Sequence, residues 1–405
     1  GMGVLLMVAL CAAALYPTPA AAFLGPAPMM GRVRAARASA SNLQMQSGDS
    51  EPPQVWVPGS SQEQSLWLPP SSHVNRRDAL RYSAGSVLAA ATAASSPLPA
   101  YAAQGRDLPS LASQAPKGNS VKLSNGGGKF PLVSFGLQVY DDETARKNTL
   151  IALDAGVRNF FASVLAGNQI GFAKAIKESG IPREELYICG SVVSNRAKGF
   201  DAAYKSTAKG CAENMKAFGV GGIDYLDQIM LDYPCQDTIG VLGQWKAFED
   251  MKEAGLTKSL SVSNFSPEQI DCLLNDEDVK TYPCVNQLPF NLQVNGKVPG
   301  WGGSAVAVVQ SNRDRNCLVQ AWAPLGASTG RFSKKIQTAC RTVGEKYGKS
   351  GSQIALRWIV ESGAAFTTSS SSKKHFEEDL DIFDFTMDPQ DMLTLNTLMG
   401  RVSVQ

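Results

Sequence analysis

Residues Gly255–Ile270 read GLTKSLSVSNFSPEQI. A glycine that can end a helix precedes an apolar run of strand length, and the polar pair Ser263-Asn264 follows that run. Ser266 can cap a new helix, and Pro267 can occupy its first position. The stretch therefore predicts one strand–loop–helix unit with two small hydrogen-bonding side chains at the carboxyl end of the strand. In a (β/α)8 barrel, ligands bind at that end.

Strand-length and helix-length segments alternate on both sides of this unit. A β-hairpin around Gly126-Gly127-Gly128 opens the region, and about eight predicted strands follow it. Outside the opening unit, the predicted strands are Pro131–Phe135, Val157–Phe161, Leu186–Val193, Ile223–Leu231, Pro283–Leu288, Cys317–Trp322 and Ala364–Thr368. We therefore predict an α/β fold over residues 103–405, a (β/α)8 TIM barrel with an N-terminal β-hairpin.

Short motifs in this region resemble those of the aldo-keto reductases in order and spacing. The motifs are IPREELYI at Ile181–Ile188, DYLD at Asp224–Asp227, VNQ at Val285–Gln287, WAPLG at Trp322–Gly326 and the tail Asp381–Phe385 followed by Asp388. The resemblance implies a barrel oxidoreductase that uses a nicotinamide dinucleotide without a Rossmann glycine fingerprint.

The resemblance also implies a catalytic tetrad of Asp, Tyr, Lys and His. In this sequence the matching positions hold Phe161, Ala166, Ser191 and Asp232. Gln138 stands where the family has an active-site Trp, and beyond the first 102 residues the one histidine is His375. A general acid commonly supplies ~10²–10⁴-fold in rate, so we expect the family's carbonyl reduction to be lost.

A rebuilt active site is the alternative. Ser163, Ser191 and Asp232 would then line the barrel opening, with Tyr140 or Tyr233 near it. A serine with an aspartate but no histidine or lysine lacks the usual base for a nucleophile, so the sequence favours polar groups that satisfy one another at a loop rim.

Part of the dinucleotide site matches the family. Ser263, Asn264 and Gln287 stand at positions that hydrogen-bond the nicotinamide carboxamide there, and Trp322 stands at the position of the stacking aromatic. Beyond the last strand, the resemblance assigns cofactor contacts to Ser370 and Glu378.

The phosphate end of that site departs from the family. Its Lys, Arg and Asn are replaced by Ser369, His375 and Asp379. Lys373 or Lys374 could act as point charges instead, and the run of four serines could offer backbone N–H groups to an anion. We expect no cofactor to be required and only weak binding of NADP(H).

The first 102 residues have the composition of targeting segments rather than of the barrel. Residues 1–22 resemble a signal peptide, and residues 23–74, rich in Ala, Ser and Arg, resemble a plastid transit segment and linker. Residues 75–102 contain Arg76-Arg77 before a small-residue apolar run and resemble a twin-arginine signal for the thylakoid lumen. A disordered linker with a chance arginine pair is the alternative for this third segment.

Charge and cysteine content exclude several classes of function. The formal net charge of +2 gives no reason to expect nucleic-acid binding, and no segment after residue 102 is long and apolar enough to span a membrane. The cysteines form no CxxC pair, so metal binding is not expected, although one disulfide remains open.

These features together predict a catalytically degenerate, aldo-keto-reductase-like protein of the thylakoid lumen. We expect it to be an accessory or assembly subunit of a thylakoid membrane complex such as a photosystem. The alternative is a divergent NAD(P)H-dependent oxidoreductase that acts on a small carbonyl substrate. A small-molecule binding protein that uses the barrel opening is a third possibility.

Overall fold

The computed structural model describes residues 119–137, 140–294, 305–326 and 332–398. The targeting segments predicted within residues 1–102 lie outside the described residues, as does Gln138. The expectations that rest on them stay predictions.

Eight parallel strands close into a barrel, in the order β10-β3-β4-β5-β6-β7-β8-β9. The described strands are β1 Ser120–Lys122, β2 Lys129–Pro131, β3 Val133–Gly136, β4 Asn159–Phe161, β5 Tyr187–Val192, β6 Leu226–Asp232, β7 Thr257–Ser263, β8 Val285–Pro289, β9 Leu318–Trp322 and β10 Ala365–Thr368. The predicted (β/α)8 barrel with an N-terminal hairpin is confirmed, and strand ends differ from the predicted bounds by a few residues.

Helices cover the outside of the barrel. Those described are α1 Asp142–Asp154, α2 Gln169–Ser179, α3 Phe200–Gly219, α4 Thr238–Glu253, α5 Pro267–Leu274, α6 Ala305–Arg313, α7 Lys334–Tyr347, α8 Gly351–Glu361, α9 Lys373–Leu380 and α10 Pro389–Thr397. None of these described helices is both long and apolar enough to cross a bilayer.

The hairpin β1–β2 covers the amino-terminal end of the barrel. Its turn packs so closely that a Cβ on Gly126, where φ is +89°, would lie 2.9 Å from the carbonyl oxygen of Lys258 at the start of β7. Ser124 donates a hydrogen bond to the carbonyl oxygen of Asn316 just before β9, at 2.9 Å. The opposite end, where the carboxyl ends of the barrel strands meet, is called the mouth below.

The strand–loop–helix unit at Gly255–Ile270 folds as its sequence predicts. Strand β7 ends at Ser263, and α5 begins at Pro267 with Ser266 as its N-cap. Ser266 Oγ accepts from the Gln269 N–H at 3.3 Å, while Gln269 Oε1 accepts from the Ser266 N–H at 2.8 Å. The same reciprocal pair, called a capping box, joins Ser350 and Gln353 at the start of α8.

Replacing Ser266 or Ser350 by Ala should lower the free energy of unfolding by about 1 kcal/mol each, because each change leaves a first-turn N–H without its acceptor. Urea unfolding followed by circular dichroism measures the effect. Ser206→Ala, at an exposed position inside α3, is the matched control and should be neutral or slightly stabilising. If all three variants were equally stable, the capping boxes would contribute nothing to the fold.

Candidate functional site

A layer of polar side chains crosses the mouth on four neighbouring strands. The strand register pairs Asp232 with Ser263, Ser263 with Gln287, and Gln287 with Gln320. Because register partners in a parallel sheet point to the same face, these four side chains share one level of the barrel. Gln287 Nε2 donates to Gln320 Oε1 at 2.9 Å, and all four residues are buried.

Asp232 is the carboxyl group of this layer. Its burial raises its pKa to about 6, and hydrogen bonds from Ser263 and Asn264 limit the rise. Asn264 Nδ2 donates to Asp232 Oδ1 at 3.2 Å. A carboxyl group with a pKa near 6 exchanges its proton close to neutral pH, so this group can act as an acid.

Asn264 and Trp322 stand just above the layer. Asn264 Nδ2 also donates to Ser263 Oγ at 2.9 Å, and Trp322 Nε1 donates to Asn264 Oδ1 at 3.2 Å. Trp322 is half-buried. The structure thus brings together four of the residues predicted to bind a cofactor: Ser263, Asn264, Gln287 and Trp322.

Three strand ends at the mouth continue into residues with a left-handed backbone. Tyr233, Asn264 and Ala323 directly follow Asp232, Ser263 and Trp322, with φ of 66°, 63° and 51°. Asn adopts this conformation readily, whereas Tyr and Ala do so rarely and at a cost of order 1–3 kcal/mol. Such strain concentrates at functional sites, so it marks the mouth as one.

An apolar cluster lies deeper in the barrel than Asp232. Phe161 on β4, Cys189 on β5 and Met230 on β6 pack together, apart from the main core. Burial raises the pKa of the Cys189 thiol well above its ordinary value, which keeps the thiol neutral. The cluster therefore brings no charge to the mouth.

The hydroxyl groups of Ser163 and Ser191 both accept hydrogen bonds from the loop that follows β4. Ser191 Oγ accepts from the Val164 N–H at 3.3 Å, and Ser163 Oγ accepts from the Leu165 N–H at 3.1 Å. Ala166 lies on the loop after β4 and is half-buried. The two serine hydroxyls thus satisfy nearby backbone groups, as the sequence favoured.

The segment after β10 carries the other predicted cofactor residues, Ser370 and Glu378. Ser370 Oγ lies 3.3 Å from His375 Nδ1 and accepts from the Ser372 N–H at 3.1 Å. Glu378 Oε1 lies 3.6 Å from Lys374 Nζ. Both side chains therefore have partners within their own segment.

The two lysines of this segment already face carboxylates. Lys373 Nζ lies 2.8 Å from Asp154 Oδ2 and 3.8 Å from Glu377 Oε1, and Lys374 pairs with Glu378. Ser369, where the resemblance expects a lysine, donates to the carbonyl oxygen of Gly136 at 2.8 Å. A phosphate contact of Lys373 or Lys374 would therefore compete with these ion pairs.

Asp379 is a second buried carboxyl group. Thr368 Oγ1 donates to Asp379 Oδ2 at 2.9 Å, and Asp379, a residue of α9, is buried. Burial raises its pKa to about 7, although the Thr368 hydroxyl opposes the rise. At neutral pH this site therefore carries only part of a negative charge.

Two features of the site were not predicted from the sequence. Gln320 was not named as a site residue, although its alternation with Trp322 on β9 indicates that both point inward. The proton affinities of Asp232 and Asp379 were also missed, because they depend on burial in the folded chain. Over the described residues, no group of three or more His, Cys, Asp and Glu could hold a metal ion, and the seven cysteines there are free thiols.

The known proteins that resemble this chain in sequence include aldo-keto reductases. The model of the aldo/keto reductase family matches residues 122–399. An aldo-keto reductase of Mycobacterium avium (strain 104) is 27% identical over 270 residues, which is 67% of this chain and 86% of that protein. One from Mycolicibacterium smegmatis (strain ATCC 700084 / mc(2)155) is 28% identical over 271 residues, covering 66% of this chain and 87% of the relative.

Solved structures of aldo-keto reductases also resemble this chain. The crystal structure of an aldo/keto reductase from Brucella melitensis aligns with a TM-score of 0.59 and 28% identity, over 69% of this chain and 98% of that one. MGS-M4, an aldo-keto reductase enzyme from a Medee basin deep-sea metagenome library, aligns with a TM-score of 0.59 and 25% identity, over 71% and 97%.

Asp379→Asn should raise the stability of the protein at pH 8 and leave it nearly unchanged near pH 4. The pKa of Asp379 in the fold, about 7, lies above its ordinary value of 3.8, so its contribution is present below pH 4 and is lost as the pH rises through 7. The gain in the free energy of unfolding should approach about 1.4 kcal/mol for each pH unit between the pKa of 3.8 and the pKa of about 7.

Denaturant unfolding at several pH values measures this difference. Glu378→Gln, which changes a neighbouring, more exposed carboxylate, is the control and should shift stability by less than about 1 kcal/mol. The same pH dependence in Asp379→Asn and the parent protein would mean that Asp379 titrates normally.

Proposed function

The chain belongs to the aldo/keto reductase family, a family of NAD(P)H-dependent oxidoreductases, and we propose that it is a divergent member in which the carboxyl group of Asp232 is the proton donor. The observation that carries this proposal is the position of a buried carboxyl group of raised pKa at the mouth. The substrate class that we propose is a small carbonyl compound.

The residues at the mouth suit a nicotinamide. Ser263 and Gln287 supply hydrogen-bonding groups on adjacent strands, and the half-buried indole of Trp322 is a surface on which a flat ring can stack. A reduced nicotinamide, when bound, supplies a hydride. The residues of this chain then have to orient the carbonyl group and provide a proton.

Asp232 can provide that proton. Its carboxyl group is protonated at pH values below about 6, and it sits at the same level of the barrel as Ser263. A carbonyl oxygen within reach of Asp232 would take the proton as it becomes a hydroxyl, which leaves a carboxylate that the Asn264 amide stabilises. The carboxylate regains its proton from solvent.

We also propose that the family's own acid, a Tyr–Lys–Asp group with a His, is absent. The resemblance puts Phe161, Ala166, Ser191 and Asp232 at those four positions, and the fold supports this reading. Phe161, Ser191 and Asp232 lie at or near the carboxyl ends of three consecutive strands, and Ala166 lies on the loop after the first of them.

The preference between NADPH and NADH depends on the segment after β10. The lysines there pair with carboxylates, and Ser369 and His375 stand where the resemblance expects the phosphate clamp. We propose that a nicotinamide dinucleotide binds weakly, with little preference between NADPH and NADH.

A second proposal is a non-catalytic role, as an accessory or assembly subunit of a thylakoid membrane complex in the lumen. The apolar cluster of Phe161, Cys189 and Met230 favours it, because Phe161 stands where the resemblance expects the Asp, and Met230 is the register partner of Ser191, where it expects the Lys. The location and the partner rest on the predicted targeting segments alone.

Steady-state assays with NADPH and NADH against a panel of small aldehydes and ketones separate the two proposals. The parent protein should oxidise the cofactor at a rate that falls above pH 6, because Asp232 must be protonated to act. Asp232→Asn should lose about 10²-fold or more. Asp388→Asn, which changes a carboxyl group but keeps the helix cap of α10, should retain the rate. No turnover above background across the panel would favour the non-catalytic role.

Titration calorimetry with both cofactors tests the phosphate end. We expect weak binding and less than tenfold preference for NADPH, since each charge-assisted contact is worth about 1.5–3 kcal/mol and two are missing. Ser369→Lys combined with His375→Arg should restore at least tenfold preference for NADPH and leave NADH binding nearly unchanged. A strong preference for NADPH in the parent protein would show that other groups hold the phosphate.

A further inference from the structure

Three side chains form a hydrogen-bonded chain across the mouth. Trp322 Nε1 on β9 donates to Asn264 Oδ1 at 3.2 Å, and Asn264 Nδ2 donates to Asp232 Oδ1 at 3.2 Å. The second N–H of Asn264 goes to Ser263 Oγ at 2.9 Å. The indole and the carboxyl group are therefore connected through a single amide.

The indole sets the direction of the hydrogen bonds between these three side chains. An indole nitrogen can only donate, so it selects the oxygen of the Asn264 amide as its partner. The nitrogen of the amide must then face Asp232 and Ser263. If the amide were turned over, its N–H groups would meet the indole N–H, and its oxygen would meet the carboxylate.

The backbone holds Asn264 in this place. Its backbone has a φ of 63°, and its N–H donates to the carbonyl oxygen of Gln287 at 3.0 Å. Tyr233 N–H donates to the carbonyl oxygen of Ser263 at 3.2 Å, and Asn291 Nδ2 donates to that of Ala323 at 2.7 Å. The strained residues on all three strand ends are thus fixed by hydrogen bonds.

We infer that Trp322 and Asn264 are positioning residues for Asp232: the indole N–H fixes the orientation of the Asn264 amide, and the amide holds the carboxyl group. In this role the amide of Asn264 is committed to the protein, whereas the family resemblance implies a contact with the cofactor. The catalytic consequence rests on the proposed function, but the hydrogen-bonded chain does not.

The surroundings of Asp232 determine how such a chain can be detected. Burial favours its protonated form, and the hydrogen bonds from Ser263 and Asn264 favour its carboxylate. Among the described residues, the thiol of Cys189 on β5 interacts electrostatically with Asp232, and burial keeps that thiol neutral. Loss of the amide contact should therefore raise the pH at which Asp232 releases its proton.

Carbon-13 NMR of the aspartate carboxyl groups in the full chain, without substrate or cofactor, measures that pH. The signal of Asp232 is identified by its loss in Asp232→Asn. Trp322→Phe removes the indole N–H and keeps an aromatic ring, and Asn264→Gly removes the amide at a position whose left-handed backbone suits glycine. Each should raise the midpoint by about one pH unit, which is tenfold in the proton dissociation constant.

The double variant and a matched control complete the test. If both residues act through one hydrogen-bonded chain, Trp322→Phe with Asn264→Gly should shift the midpoint no further than Asn264→Gly alone. Trp358→Phe is the control. It also removes an indole N–H that donates to an asparagine oxygen, Asn396 Oδ1 at 2.9 Å, but Trp358 lies on α8. This variant should leave the titration midpoint of Asp232 unchanged. The inference is overturned if neither single variant shifts the midpoint, or if the two shifts simply add.

This measurement is separate from the proposed function. A shifted midpoint without any turnover would support the positioning role and count against the oxidoreductase. Turnover that depends on Asp232, with an unshifted midpoint in both single variants, would support the oxidoreductase and count against the positioning role.

Discussion

Closure of eight parallel strands is the constraint on which the mouth depends. A closed barrel has no edge, so every strand pairs on both sides, and the register between neighbours fixes which side chains share a level. The ladder between β6 and β7 brings Asp232 beside Ser263, and the next two ladders extend that level to Gln287 and Gln320. These residues are far apart in the sequence, and only this register turns them into one site.

Sequence patterns predicted the fold closely because barrel strands and caps are local signals. The strand from Thr257 to Ser263, its capping serine and the following proline lie within one short stretch, and each obeys a local rule. Helix α6 was not predicted, since its sequence AVAVVQSNR is rich in β-branched residues, which favour strands. For the site, the resemblance named Ser263, Asn264 and Trp322, but no local signal could report that Asp232 is buried with no cation near it among the described residues.

The strained mouth has a cost that the rest of the barrel must offset. Left-handed conformations at Tyr233 and Ala323 cost of order 1–3 kcal/mol each, whereas glycine would remove the cost. Both residues sit next to members of the hydrogen-bonded chain, Asp232 and Trp322. The side chains at the strand ends therefore depend on a backbone geometry that the packed barrel below can impose.

Ser191 and Asp232 are physically consistent with each other as neighbours at the mouth. A lysine at position 191, on the strand next to Asp232, would place a positive charge near the carboxyl group and lower its pKa by about 1–3 units. At pH 6, where about half of the Asp232 carboxyl groups carry a proton, nearly all would then be ionised and unable to donate one. With Ser191 there, and with the neutral cluster of Phe161, Cys189 and Met230 below, burial is the dominant influence and the pKa stays near 6. A serine at position 191 and a carboxyl group that titrates near pH 6 at position 232 are thus compatible with each other, because no cation among the described residues lowers the pKa of Asp232.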